Sequence, residues 1–97
     1  MSEASATEVC ATVEIGNQRG LHARASAKFV NIVALLPDDL QVTVRKDGTE
    51  AAGGSILGLM MLGAAKGDSI EISVKGEDAE EALIKLVGLV KDRFGED

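Results

Sequence analysis

Three stretches of the chain alternate apolar and polar residues, a pattern that predicts β-strands with one buried face. They cover residues 9–15, 40–45 and 70–74. A shorter strand over residues 49–52 is expected after the second stretch, because Asp47-Gly48 is a strong hairpin signal. Turn-forming residues 16–20 end the first strand, and Gly76 ends the last one.

Three other stretches have the apolar spacing of helices. The first covers residues 23–36 and stops before Pro37, which cannot continue a helix. The second is short, residues 56–62, and Ser55 is a natural N-cap for it. The third is predicted from Asp78 to Phe94, with acidic residues at its start and basic residues at its end, as the helix dipole favours. Its apolar stripe consists of Ala79, Leu83, Leu86, Val90 and Phe94.

The predicted order β-α-β-β-α-β-α defines the fold class as α+β. Each strand has one apolar face, so three helices should cover one side of a four-stranded sheet. The first helix should return to a strand parallel to the first, with another strand between them, which is a split βαβ arrangement. With 97 residues the chain is expected to form one domain over 8–97, preceded by a mobile tail over 1–7.

Composition narrows the possible partners. The net charge of −6, with two Phe and no Tyr or Trp, argues against nucleic-acid binding. One cysteine excludes an internal disulfide and a zinc ribbon. The longest apolar stretch, 56–65, is about half the ~20 residues of a membrane span, and the start of the chain lacks a signal-peptide layout. We therefore expect a cytoplasmic protein that does not bind membranes.

The candidate chemistry lies in Gly20-Leu21-His22-Ala23-Arg24, where a loop meets a helix. Backbone N–H groups of the first helical turn are unpaired, and the helix dipole favours negative charge there. The guanidinium of Arg24 can reach the same place. A neutral imidazole is a usable nucleophile near pH 7, so His22 could take up a phosphoryl group and release it again.

Other interpretations of these residues stay open at this stage. His22 could be only a helix cap or a surface residue, and the chain a small domain that binds a ligand without covalent chemistry. A metal site is disfavoured because no second soft ligand lies near His22. A P-loop is disfavoured because Gly53, Gly54 and Gly58 lack the following Gly-Lys-Ser/Thr. Cys10 has no basic neighbour in sequence and is interpreted as inert.

The second candidate feature is the short helix after Ser55. Leu59 and Leu62 should face the core, which leaves Ile56, Leu57 and Met60 partly exposed. Exposed apolar residues with a flexible methionine suit a protein-docking surface. The alternative is that a core poor in aromatic residues uses all of them.

These two motifs, Gly20-Leu21-His22-Ala23-Arg24 and Ser55-Ile56-x-x-Leu59-Met60, resemble those of HPr, the histidine-containing phosphocarrier of the bacterial phosphotransferase system. The likeness covers about residues 9–94. It implies an HPr-like open-faced β-sandwich, in which four antiparallel strands carry three helices on one face. It also implies a phosphocarrier without cofactors, in which the protein is itself modified and is not an enzyme.

By this resemblance, His22 accepts a phosphoryl group on Nδ1 from enzyme I and passes it to IIA domains of sugar permeases. Arg24 would neutralise the phosphoryl charge. Ser55 would match the serine that an HPr kinase/phosphatase controls in some members. A monomer is expected from the small size and the absence of a long exposed edge strand. The expected docking residues are Leu21, Ala23, Ala27, Lys28, Ile56, Leu57 and Met60.

Two positions depart from the family pattern. Ala25 stands where most members carry proline, so its N–H is available as an additional donor to a phosphoryl group. Gly54 replaces a basic residue that often precedes the regulatory serine. Residues 49–52 and 94–97 look more like carriers of the parallel nitrogen or regulatory relay, whereas residues 55–58 look more like the sugar branch, which we favour.

Overall fold

The computed structural model describes residues 7–96. Their elements are β1 (Glu8–Glu14), α1 (Ala23–Ala34), β2 (Gln41–Lys46), β3 (Thr49–Ala52), α2 (Ile56–Met61), β4 (Ser69–Lys75), α3 (Ala79–Lys91) and a short 3-10 turn (Arg93–Gly95). The predicted order of strands and helices is confirmed, including the short third strand after the Asp47-Gly48 turn.

The four strands form one antiparallel sheet in the order β1-β4-β2-β3. Since β4 pairs antiparallel with both β1 and β2, those two strands are parallel to each other with β4 between them. They are connected through α1, so the predicted split βαβ arrangement is confirmed. The face of the sheet that does not contact the helices is polar. On this face Arg45 forms ion pairs with Glu50 of β3 and Glu71 of β4.

The core lies between the sheet and the helices. Alternate residues of each strand point into it, and both phenylalanines of the chain, Phe29 and Phe94, are fully buried. Most of the remaining core is aliphatic, as the composition requires. Its largest members besides the phenylalanines are Ile15, Leu59, Ile70, Ile72 and Leu86.

The end of the last helix differs from the prediction. α3 ends at Lys91, and Arg93, Phe94 and Gly95 all have positive φ, at 57°, 57° and 73°. Phe94 is buried as its place in the apolar stripe predicted, but it reaches the core from a left-handed turn. Helical periodicity describes burial equally well for a residue beyond the helix, so it could not detect this reversal.

The edges of the sheet also differ from one expectation. β1 is an edge strand of seven residues, so the expected absence of a long edge strand is wrong. The predicted tail over residues 1–7 lies outside the described residues except for Thr7. The carbonyl of Thr7 accepts a hydrogen bond from the Gly76 N–H at 2.7 Å, which continues the pairing of β1.

Candidate functional site

The loop that precedes α1 is held in place by close backbone contacts and positions His22 at the start of this helix. Gly20 has φ +64°, and a Cβ at this position would lie 2.3 Å from the carbonyl oxygen of Ala64. Only glycine fits both demands. The next N–H, that of Leu21, donates to the same Ala64 carbonyl at 3.0 Å. The backbone that enters α1 is therefore pinned to the segment after α2.

His22 is the N-cap residue of α1, in an extended backbone conformation. Its Nδ1 accepts a hydrogen bond from the Arg24 backbone N–H at 3.2 Å. Its Nε2 lies 2.8 Å from a carboxylate oxygen of Glu96. The side chain retains 16% of its accessible surface, so the ring is at the rim of the fold rather than in the core.

These two contacts select one tautomer of the neutral imidazole. An ionised carboxylate only accepts hydrogen bonds, so Nε2 must carry the proton that faces Glu96. A backbone N–H only donates, so Nδ1 must present its lone pair to Arg24. The contacts of both ring nitrogens therefore indicate the tautomer that is protonated on Nε2. Nδ1, which carries the lone pair, points at the N-terminus of α1.

Glu96 is held by Asn17 as well as by His22. Asn17 is fully buried, and its side-chain amide donates to the Gly20 carbonyl at 2.9 Å and to the second carboxylate oxygen of Glu96 at 3.1 Å. Partial burial acts to raise the pKa of Glu96, but the hydrogen bonds from His22 and Asn17 outweigh it. The pKa of this carboxyl therefore lies below its usual value, and the group stays ionised near neutral pH.

The turn that carries Glu96 is fixed from α1. Lys28 donates through Nζ to the Phe94 carbonyl at 2.6 Å, and the buried Phe94 ring anchors the same residue from inside. Sequence reasoning missed Asn17 and Glu96 as site residues and assigned Lys28 to docking. No local signal identifies Glu96, which is 74 residues from His22 and meets it only through the fold.

The other side chains at the helix start are less constrained. The guanidinium of Arg24 is exposed and makes no hydrogen bond or ion pair within residues 7–96; only its backbone N–H contacts His22. In the same range the N–H groups of Ala23 and Ala25 have no acceptor, as expected for a first helical turn. The first turn of α1 thus offers an exposed cation and two N–H donors that have no partner within residues 7–96.

The short helix α2 begins as predicted. Ser55 is its N-cap, and its hydroxyl accepts a hydrogen bond from the Gly58 N–H at 2.9 Å. Leu59 and Leu62 are buried, whereas Ile56 and Leu57 are exposed. Met60 is exposed too, as predicted, and so is Met61, which was not predicted. An apolar surface on α2 therefore lies beside α1, with which α2 is in contact.

One predicted docking residue does not belong to this surface. Leu21 is only 5% exposed and is part of the core, so its assignment to docking is wrong. Residues just before a helix often point inward to anchor the entering chain, and Leu21 does so here. Ala23 is exposed, and Ala27 and Lys28 are half-buried, so these three positions remain accessible.

Three further observations concern the cysteine, metal binding and membrane crossing. Cys10 is exposed on the polar sheet face, where its thiol lies 3.7 Å from the Ser73 hydroxyl. Among residues 7–96, no three His, Cys, Asp or Glu side chains form a group suited to a metal ion. None of the helices described is both long and apolar enough to cross a membrane.

Fold and site together define a small open-faced β-sandwich whose one histidine lies at a helix N-terminus. A family model described as the PTS HPr component phosphorylation site matches residues 9–92, and the chain belongs to this family. It is therefore a phosphocarrier rather than a catalyst, and the PTS enzymes are its general kind of partner.

The similar proteins include phosphocarriers named HPr and phosphocarriers named NPr. The chain is 45% identical over 85 residues to phosphocarrier protein HPr of Neisseria meningitidis, covering 88% of this chain and 93% of that one. It is 41% identical over 87 residues to phosphocarrier protein NPr of Escherichia coli, covering 89% and 94%. A crystal structure of HPr from Thermoanaerobacter tengcongensis superposes with a TM-score of 0.82 at 41% identity, covering 94% of this chain and 98% of that one.

Proposed function

We propose that Nδ1 of His22 accepts a phosphoryl group from phosphorylated enzyme I and passes it to a IIA domain. The observation that carries this proposal is the pair of contacts on the ring, to Glu96 on one nitrogen and to Arg24 N–H on the other. They leave the nucleophilic lone pair on Nδ1 and direct it at a group of donors suited to phosphate oxygens.

In the transfer step, the Nδ1 lone pair forms a bond to phosphorus while the bond from phosphorus to the donor nitrogen breaks. The electron pair of that bond leaves with the donor. The proton on Nε2 stays in place, so the His22 ring gains positive charge as the bond forms. The carboxylate of Glu96, 2.8 Å from Nε2, stabilises that charge.

The helix start then accommodates the phosphoryl oxygens. The Arg24 N–H donates a hydrogen bond to Nδ1 before transfer. After transfer it donates to a phosphoryl oxygen instead. The free N–H groups of Ala23 and Ala25 supply further donors, and the exposed guanidinium of Arg24 adds positive charge. Because these groups bind the phosphoryl oxygens without covalent attachment, the imidazole remains a leaving group for the next acceptor.

The experiment is intact-mass analysis after incubation with phosphoenolpyruvate and enzyme I. One acid-labile phosphoryl group is expected on the wild-type chain and none on His22→Ala. The Arg24→Gln variant should be labelled more slowly while its fold is unchanged. Full labelling of His22→Ala would overturn the assignment and favour a domain that binds partners without covalent chemistry.

We propose that the exposed residues of α2 dock the partners and that Ser55 regulates this docking. A phosphate on Ser55 would lie at the start of α2, where negative charge is tolerated, so its effect should fall on docking rather than on folding. Ser55→Asp should slow transfer from enzyme I, whereas Ser55→Asn retains a neutral cap. Unchanged transfer to Ser55→Asp would contradict this role.

Within the family we propose the sugar branch, supported by residues 55–58 and by the HPr relatives. The nitrogen or regulatory relay is the second candidate, because the NPr of Escherichia coli is nearly as similar. Labelling rates with the enzyme I of each relay separate the two. Faster loading by the sugar-system enzyme supports the first, and faster loading by the nitrogen-system enzyme supports the second. For either branch we propose a cytoplasmic monomer.

A further inference from the structure

A cleft of about 500 Å³ lies where the free edge of β1 meets the end of α3. Its volume is within the range of about 300–1,000 Å³ that is typical of small-ligand sites. One wall comes from the end of β1, and the other from α3 and the residue beyond it. The lining includes Thr12, Glu14, Gly16, Lys66, Lys91 and Arg93.

Three of those residues are cations, in a chain whose net charge is −6. Within residues 7–96, no carboxylate comes within 4.0 Å of the charged groups of Lys66, Lys91 or Arg93, in contrast to Arg45 and Lys46, which are both paired. The single acidic residue of the cleft is Glu14, which is exposed. The cleft therefore concentrates unneutralised positive charge.

The β1 edge adds backbone donors to the cleft. The N–H of Ile15 donates to the Asp68 carbonyl at 2.8 Å, so the backbone groups of Ile15 point toward β4. In an antiparallel ladder the neighbouring residues point the opposite way. The N–H groups of Thr12 and Glu14, two residues of β1 that line the cleft, therefore face the free edge.

The same cleft is connected to His22 through the backbone. The side chain of Arg93 lies across Gly16, with its Nε 3.5 Å from the place of a Cβ there. The Arg93 carbonyl accepts a hydrogen bond from the Glu96 N–H at 2.9 Å, and Glu96 holds Nε2 of His22. Arg93 therefore belongs both to the lining of the cleft and to the turn that carries Glu96.

We propose that this cleft binds a small phosphorylated anion and that its occupation stabilises the turn that holds Glu96 on His22. A phosphate group carries a charge of about −1.5 to −2 at pH 7 and accepts several hydrogen bonds, which matches three cations and two backbone donors. The effect on phosphoryl loading rests on the proposed function of His22, whereas the binding itself does not.

The test is an amide NMR titration of the full chain with pyrophosphate at a constant ionic strength of about 0.15 M. We compare Lys66→Gln/Lys91→Gln with the control Lys75→Gln/Lys85→Gln, which has the same net charge but leaves the cleft intact. We expect saturable shifts at residues 14–16, 66–67 and 90–93, with affinity at least about tenfold weaker in the first variant only. Resonances of Glu96 and His22 should follow the same binding curve.

Three results would overturn the proposal. The first is equal affinity in both double variants, which means that only general electrostatics acts. The second is a set of shifts confined to residues 20–26, which places the anion at His22. The third is no response to pyrophosphate but saturable shifts in the cleft with a polyglutamate peptide, which makes it a protein-docking surface. Failure of enzyme I to load His22 would contradict the proposed function and leave the titration result standing.

Discussion

His22 is oriented by groups on both sides of its ring. The Arg24 N–H meets Nδ1, and the Glu96 carboxylate meets Nε2. The first contact is an exposed 3.2 Å helix cap, whereas the second is a partly buried contact of 2.8 Å. Together they define which nitrogen carries the lone pair, because a backbone N–H can only donate and an ionised carboxylate can only accept.

Removal of the Glu96 charge should slow the loading of His22. In Glu96→Gln the amide can present either an oxygen or an NH₂ group to Nε2, so only the Arg24 N–H still selects the tautomer, and the developing positive charge is not balanced. We expect a loading rate about tenfold lower, measured by rapid quench with phosphorylated enzyme I. Glu80→Gln, on the exposed side of α3, is the control with the same change in charge. Equal rates in the two variants would rule out an orienting role for Glu96.

The Glu96 carboxyl should titrate below the ordinary glutamate pKa of about 4.3. Its ionised form is favoured in the folded state by His22 and Asn17, so this stabilisation is fully present above that ordinary pKa. It is lost as the pH falls through the lower folded value. Carbon NMR of the side-chain carboxyl, from about pH 6 to about pH 3, measures this titration. Asn17→Ala should raise the pKa of Glu96, and an unchanged pKa would contradict the assigned cause.

The site lies where segments next to three helices meet, because these segments approach each other closely. The loop before α1 touches the segment after α2 through Gly20 and Ala64, and the turn after α3 closes over the same place. This turn has three consecutive residues with positive φ, of which two are not glycine. Such a conformation persists where surrounding contacts determine it, and here Phe94 and Lys28 supply them.

Gly20→Ala should destabilise the domain more than an equivalent change elsewhere. Gly63 also has positive φ, but a Cβ there meets nothing within 4 Å. Gly63→Ala should therefore cost only the left-handed conformation, about 1 kcal/mol. Gly20→Ala adds a clash with the backbone of Ala64 and should cost more than about 2 kcal/mol. Urea denaturation measures both, and equal losses would mean that the close approach is unimportant.

Two surfaces of the molecule differ in character: the uncovered face of the sheet, and the surface formed by α1 and α2. One sheet face is polar and uncovered, while α1 and α2 present His22 and the apolar residues of α2 in neighbouring positions. Leu57 and Met61 of α2 are 67% and 74% exposed, so most of their apolar surface contributes nothing to folding. A partner that covers α2 would bring its own reactive group close to the start of α1.

Leu57→Ser should therefore weaken docking without loss of stability. Leu57 is 67% exposed, so its replacement should change the free energy of unfolding by no more than about 0.5 kcal/mol. We expect the KM for enzyme I to rise about fivefold or more, with kcat little changed. Leu35→Ser is the matched control, because Leu35 is 85% exposed at the opposite end of α1. A similar rise in KM for both variants would contradict a specific surface on α2.

Much of this protein could be predicted from local patterns. Strand alternation, the Asp47-Gly48 turn and the Ser55 cap each depend on neighbours in sequence, so the order of elements followed from them. The position of His22 and Arg24 where a loop enters a helix was predicted for the same reason, because such an entry is a local feature. The buried position of Leu21 was not, because apolar residues outside an element have no periodicity from which to read it.

Contacts between distant segments could not be obtained in that way. The Glu96–His22 pair, the support from Asn17 and the cleft beside β1 all require the chain after α3 to reverse direction through left-handed residues. Residue type gave no sign of this reversal, because Arg93 and Phe94 rarely adopt such a conformation. Local propensity thus accounts for the elements and for the place of His22 at a helix start, whereas packing of the last turn into the core brings Glu96 to Nε2 of His22.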